Sequence, residues 1–141
     1  MSEFKINDFD FDDIEIGLTH KFNKILSIDD IDSYAKLVGD FNPLHLDEKF
    51  ASTSIFESRI CHGMLGASLF STMVGMFCPG KNSLYLSQTI NFRKPIYPDK
   101  ELTIKSTVLS KSESLRIIEL ETQIIDGKVL LVDGIAKVRL I

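Results

Sequence analysis

Between Ile60 and Gly80 the chain carries no Asp, Glu, Lys or Arg. An uncharged stretch of this length approaches a membrane span. However, it holds His62, Ser68, Ser71 and Thr72, with Gly63, Gly66 and Gly75 spaced through it. A lone span would leave those polar groups in lipid. A helix apolar on all sides is also what the centre of a soluble core requires. The run therefore predicts a buried helix, and the rest of the chain must supply a wrapping for it.

The flanking segments supply one. Ile16 to Leu26 shows partial apolar/polar alternation and reads as a strand. Ser27 predicts a helix N-cap, and Asp29 and Asp30 in the first turn favour the positive end of the dipole. Ile28, Ile31, Tyr34, Ala35 and Val38 recur at helical spacing, with Gly39 as the stop. Pro43 disfavours helix just before it, so Asp40 to Leu46 reads as loop. Asp47 is placed to cap a short helix through Phe50 and Ala51. After Pro79-Gly80, four strand-like runs follow: Ser83 to Phe92, Glu101 to Ser110, Leu115 to Ile125 and Val129 to Leu140. Asp126-Gly127 is a strong hairpin signal, and turns are also expected at Pro98-Asp99 and Lys111-Ser112-Glu113. Strand, helices, then four antiparallel strands predict an α+β fold, a sheet around one apolar helix, as a single domain over residues 1–141. The acidic start (Glu3, Asp8, Asp10, Asp12, Asp13 and Glu15 against Lys5) reads as a solvated, loosely ordered lead-in over 1–15.

Charge and cysteine usage narrow the function. A net charge of −4 argues against a nucleic-acid binder held by phosphate contacts. The acidic first residues lack the apolar stretch of a signal peptide. Cys61 and Cys78 both lie in or beside the apolar run and have no second pair to complete a zinc site. These features predict a cytoplasmic protein with reduced, buried thiols and no membrane attachment.

Two clusters carry chemistry. Asp40-Phe41-Asn42-Pro43-Leu44-His45-Leu46-Asp47 sets a carboxylate and an imidazole five positions apart across a Pro-stiffened loop. Cys61-His62-Gly63-Met64 then opens the uncharged helix. An ordinary aspartate, with a reference pKa of about 3.9, is ionised at neutral pH, and an imidazole near about 6.5 can carry a proton. The Gly63 N–H at a helix start is an unpaired donor, and glycine lets a substrate carbonyl come close. Gly63, Ala67 and Ser71 follow at i+4 and form a shallow stripe, with Leu65, Leu69 and Met73 as a bulkier one. Asn42 reads as a turn-former, His62 as a packed or helix-start histidine and Asp47 as a cap. Asp40, His45, Asp47 and His62 match no standard metal spacing, so no metal is expected.

This combination resembles the (R)-specific enoyl-CoA hydratases of the MaoC-like, hot-dog-fold family. The likeness rests on Asp40 to Asp47, Cys61 to Leu65, Ala67 to Ser71, Phe92-Arg93-Lys94-Pro95-Ile96 and Asp99. It implies a sheet wrapped around a long central helix, as a homodimer. The implied activity is addition of water to trans-2-enoyl-CoA, giving (R)-3-hydroxyacyl-CoA. Asp40 and His45 match the catalytic acid and imidazole, Gly63 the backbone donor to the thioester carbonyl, and Ser71 a supporting serine, beside Asn42. The acyl pocket is expected to include Leu65 and Leu69. Arg59, Lys81, Arg93 and Lys94 are candidates for the phosphates of coenzyme A. No metal or redox cofactor is implied, since coenzyme A belongs to the substrate. Supply of hydroxyacyl units for polyhydroxyalkanoate and fatty-acid oxidation are the family roles. Two rival functions fit a hot-dog chain, an acyl-CoA thioesterase and a non-catalytic acyl-thioester binding module. The Asn-Pro-x-His block does not belong to thioesterases, and nothing in the chain resembles a sensor's output element.

Overall fold

The computed structural model describes residues 4–141. Strand β1 (Thr19–Ile25) leads into helix α1 (Ile28–Val38), followed by α2 (Pro43–Leu46) and α3 (Glu48–Ser52). The uncharged run supplies α4 (Gly63–Ala67), α5 (Leu69–Thr72) and a π turn (Met73–Phe77). Then come β2 (Ser83–Gln88), β3 (Asn91–Phe92), β4 (Glu101–Ser112), β5 (Ile117–Asp126) and β6 (Val129–Leu140). They form one antiparallel sheet ordered β1-β4-β5-β6-β2, with β3 also paired to β6. This is the expected hot-dog arrangement.

Local chemistry accounts for these elements. Ser27 Oγ accepts from the Asp30 N–H while the Asp30 carboxylate accepts from the Ser27 N–H, a reciprocal capping box. Gly39 ends α1 in the left-handed conformation at φ 84°. Along β4, Leu102, Ile104, Ser106 and Val108 are buried, and β5 buries Ile118, Leu120, Thr122 and Ile124. This period of two places one face of the sheet against the helix. Phe70 and Met73 meet Leu102, Ile104, Ile124 and Val132 in one cluster, and Val74 and Cys78 meet Val108, Ile118, Leu120 and Ala136 in the other.

Two expectations change. The central helix is one helical run with an interruption rather than a uniform rod. Ser68 Oγ donates to the Leu65 carbonyl at 2.5 Å, and the Ser71 N–H reaches back only to Ser68. A serine that bonds into its own preceding turn competes with the regular ladder and bends it. The described part of the acidic lead-in is packed rather than loose; Glu3 lies outside the described residues. Phe11 and Ile14 are fully buried. The Asn7 N–H and Nδ2–H donate to the Met76 and Phe77 carbonyls, both at 2.9 Å, satisfying groups that a helix end leaves open. The acidic residues face solvent, while the phenylalanine and isoleucine between them do the anchoring. Among the described residues no helix is long and apolar enough to cross a membrane.

Candidate active site

The loop after α1 is shaped by its own side chains. Asp40 Oδ1 accepts from the Asn42 N–H at 3.1 Å, and Asn42 Oδ1 accepts from the Leu44 N–H at 3.0 Å. With Asn42 as N-cap and Pro43 at the first position, the expected loop contains a single helical turn. That turn carries His45. Its Nδ1 lies 2.9 Å from the Ile60 carbonyl oxygen. A carbonyl only accepts, so Nδ1–H donates and Nε2 is the nitrogen left to exchange protons.

Two further contacts brace the turn. Arg59 Nε donates to the His45 carbonyl at 2.5 Å, and its Nη2 pairs with Asp32 on α1 at 2.6 Å. Arg59 is thereby committed to the scaffold, which corrects its candidacy as a phosphate ligand. The His45 ring stacks on His62, with centroids 4.0 Å apart and planes inclined by 29°. His62 is 2% exposed, and its Nε2 lies 3.0 Å from the Asp40 carbonyl oxygen.

An Asp40 carboxylate oxygen and one ring nitrogen from each of His45 and His62 lie within 4.8 Å of one another. Stacked imidazoles direct their lone pairs in nearly parallel planes, so one ring would have to turn before both could ligate a common ion. The same spacing suits a water. Two groups that share one water at a tetrahedral angle sit about 4.6 Å apart, given hydrogen bonds near 2.8 Å. Asp40 is open to solvent, its side chain 51% exposed.

Beside His45 is a cavity of about 450 Å³, lined by Phe56, Ile60, Cys61, Gly63, Met64, Phe92, Arg93, Lys94, Pro95, Ile96 and Val132. Its walls are apolar, and basic side chains sit only on the Arg93–Lys94 stretch. Gly63 is at the helix start against the Phe92 ring; a Cβ on Gly63 would lie 2.8 Å from the nearest ring carbon. Burial pushes the Cys61 thiol up to about 12, with Asp30 and Asp99 adding to the effect, so the thiol that borders the cavity is a poor nucleophile.

Of the predicted residues, His45, Gly63, Arg93 and Lys94 line the cavity, and Asp40, with Asn42 in its turn, reaches the group through His45; others are separated from it. Leu69 is buried in the core, Leu65 packs against it, and neither lines the cavity. They face inward because the sheet packs on that side of the helix. Ser71 is exposed although Ala67 is buried, so the small-residue stripe does not continue past the break at Ser68. Arg93 also forms an ion pair with Asp133 at 2.8 Å, and this bond, more than any other influence, holds the Asp133 carboxyl below its ordinary range. Sequence reasoning missed Phe56 and Val132 as walls. Nothing in their spacing marks them, because they reach the cavity from a loop and a distant strand.

Known proteins share this architecture. An (R)-specific enoyl-CoA hydratase of Aeromonas caviae is 41% identical over 128 residues, covering 90% of this chain and 96% of that one. A 3-hydroxybutyryl-CoA dehydratase of Methylorubrum extorquens is 36% identical over 92% of this chain and 82% of its own length. The solved (R)-hydratase of A. caviae, involved in PHA biosynthesis, superposes with a TM-score of 0.88 at 41% identity, covering 92% of this chain and 98% of that one. The MaoC-like domain matches residues 13–128, a span that holds the Asp40 loop, the Gly63 helix start and every strand except β6. With the loop, the central helix and the strands through β5 inside that match, the chain belongs to the MaoC-like domain family.

Proposed function

We propose that this protein hydrates trans-2-enoyl-CoA to (R)-3-hydroxyacyl-CoA by acid–base catalysis. The observation that carries the reading is that an Asp40 carboxylate oxygen and a His45 ring nitrogen lie within 4.8 Å of each other, close enough to share a water, with His45 and Gly63 on the wall of an apolar cavity. The stereochemistry and thioester class are those in the names of the A. caviae and M. extorquens relatives.

The chemistry needs three things. A water must be held over C3, a proton must reach C2, and the thioester oxygen must be stabilised as negative charge gathers on it. Asp40 and His45 Nε2 hold the water between them. As its oxygen bonds to C3, one water proton is taken up by this pair, and the C2=C3 π electrons shift toward the carbonyl. The enolate oxygen accepts from the Gly63 N–H, and C2 is then protonated from the same pair. One water is consumed, and the two groups return to their starting states. Positioned acid–base groups of this kind contribute roughly 10²–10⁴-fold.

No metal or redox cofactor enters this scheme, and the substrate brings its own coenzyme A. Lys94 and the outer edge of Arg93 are the proposed phosphate contacts. A homodimer is the proposed assembly, supported by exposed Leu84 and Leu86 on the edge strand β2. The proposed compartment is the cytoplasm, in keeping with the free, buried Cys61 and Cys78. Loss of enoyl absorbance on adding crotonyl-CoA, with chiral analysis of the product, tests the reading. Full activity in both Asp40→Asn and His45→Gln would sink the mechanism.

A further inference from the structure

His62 takes no part in the steps above, yet it touches both groups that carry them. At 2% exposure it meets neither solvent nor a substrate in the cavity. Its Nε2 is 3.0 Å from the Asp40 carbonyl oxygen, so Nε2–H must donate. The Asp40 carboxylate is 3.9 Å from the same nitrogen, too far for a second bond. One contact of the ring is the stack on His45; Tyr34 meets it edge-on at 4.8 Å and 62°. Its Nδ1 is buried and has no partner among the described residues.

That orphan nitrogen is informative. If the position served packing alone, phenylalanine would fill a similar space, stack on the same ring and leave no buried acceptor unmet. The histidine keeps an unpartnered atom and supplies in return a donor to the Asp40 main chain. Asp40 needs one. Its side chain is half exposed and, among the described residues, is bonded only within its own turn, to the Asn42 N–H. The His62 bond ties that turn to the start of the central helix, where Gly63 follows directly.

We infer that His62 is the positioning residue of this site: it sets the Asp40–His45 spacing, holding the Asp40 main chain through Nε2–H and the His45 ring plane by stacking. The inference rests on the hydratase reading for its kinetic consequence but not for its geometry. Two variants separate the two contacts. His62→Phe keeps a stacking ring and loses the donor. His62→Gln keeps an N–H donor near the Nε2 position and loses the ring.

With crotonyl-CoA, His62→Phe is expected to lower kcat by between about tenfold and a hundredfold, the cost of a small misplacement. KM should change less than about threefold, because the residue does not touch the substrate. His62→Gln should recover a clear part of the lost kcat. Equal kcat in His62→Phe and wild type overturns the inference, as does a folded His62→Gln no faster than His62→Phe. A second measurement stands apart from activity and from variant folding. Long-range ¹H–¹⁵N spectra of the wild-type histidines should show His62 as the Nε2–H tautomer, and an Nδ1–H tautomer overturns the inference. If wild type fails to hydrate enoyl-CoA, the functional reading falls, and the tautomer still decides the geometric one.

Discussion

Replacing Gly63 by alanine places a methyl group against the Phe92 ring, with contacts of 2.8, 2.9 and 3.3 Å to three of its carbons. Ordinary carbon–carbon contact is about 3.5–4.0 Å, so the closest approach must open by roughly 0.7–1.2 Å. The ring can give way, because Phe92 is 52% exposed and borders the cavity rather than the core. Alanine is also the better helix former by up to about 1 kcal/mol. The two effects offset, and the folded state should hold to within about 1 kcal/mol. The site should not fare so well. The added methyl and displaced ring occupy the approach to the Gly63 N–H, and a misplacement near 1 Å can cost about 10²-fold. We expect kcat/KM for crotonyl-CoA to fall about a hundredfold while Tm moves by only a few degrees. Gly66→Ala is the contrasting case on the same helix. Its Cβ would sit 2.3 Å from Ile96 Cδ1, and Ile96 is buried. Overpacking of that kind costs about 1–3 kcal/mol and should appear mainly in Tm. A Gly63→Ala protein within threefold of wild-type kcat/KM would refute the reasoning, whatever its Tm.

Other outcomes follow from the same structure. Asp40→Asn and His45→Gln should each lose roughly 10²–10⁴ in kcat with an unchanged melting curve, measured by enoyl absorbance and calorimetry. Phe11→Ala should destabilise by about 3 kcal/mol or more in urea unfolding, because Phe11 is an enclosed core side chain despite its acidic neighbours. The Cys61 thiol, raised from 9.0 to about 12, favours the folded state while protonated. That contribution is complete below about pH 9 and is lost as pH rises toward 12, so native protein should react slowly with iodoacetamide at pH 8, and base should weaken the fold. Rapid native-state alkylation of Cys61 would contradict this.

The sequence was most informative where a few neighbouring atoms decide the outcome. Ser27, Asp30 and Gly39 bound α1 at the residues expected of them, and Asp126-Gly127 turns β5 into β6. The β4–β5 turn was less legible. Strand β4 runs on to Ser112, beyond the expected stop at Ser110, because a bulge between Val108 and Ser110 shifts the register. The acidic lead-in misled because charge density outweighed Phe11 and Ile14, whose burial depends on a distant helix end. The same limit applied at the site. Asp40, His45 and Gly63 could be picked out from local motifs. The inward turn of Leu69, the exposure of Ser71 and the approach of Phe56 and Val132 depend on how far-separated segments meet.

The openness of Asp40 has a consequence for turnover. Most active sites exclude solvent, since water there competes with the intended reactant. In a hydration the reactant is water itself, present in bulk at a concentration no ligand approaches. With Asp40 in the proposed role, a half-exposed carboxylate leaves the reacting position open to that reservoir, so a consumed molecule can be replaced directly. Selectivity then falls entirely on the other reactant, and the arrival and departure of the thioester are left as the motions that a cycle has to wait for.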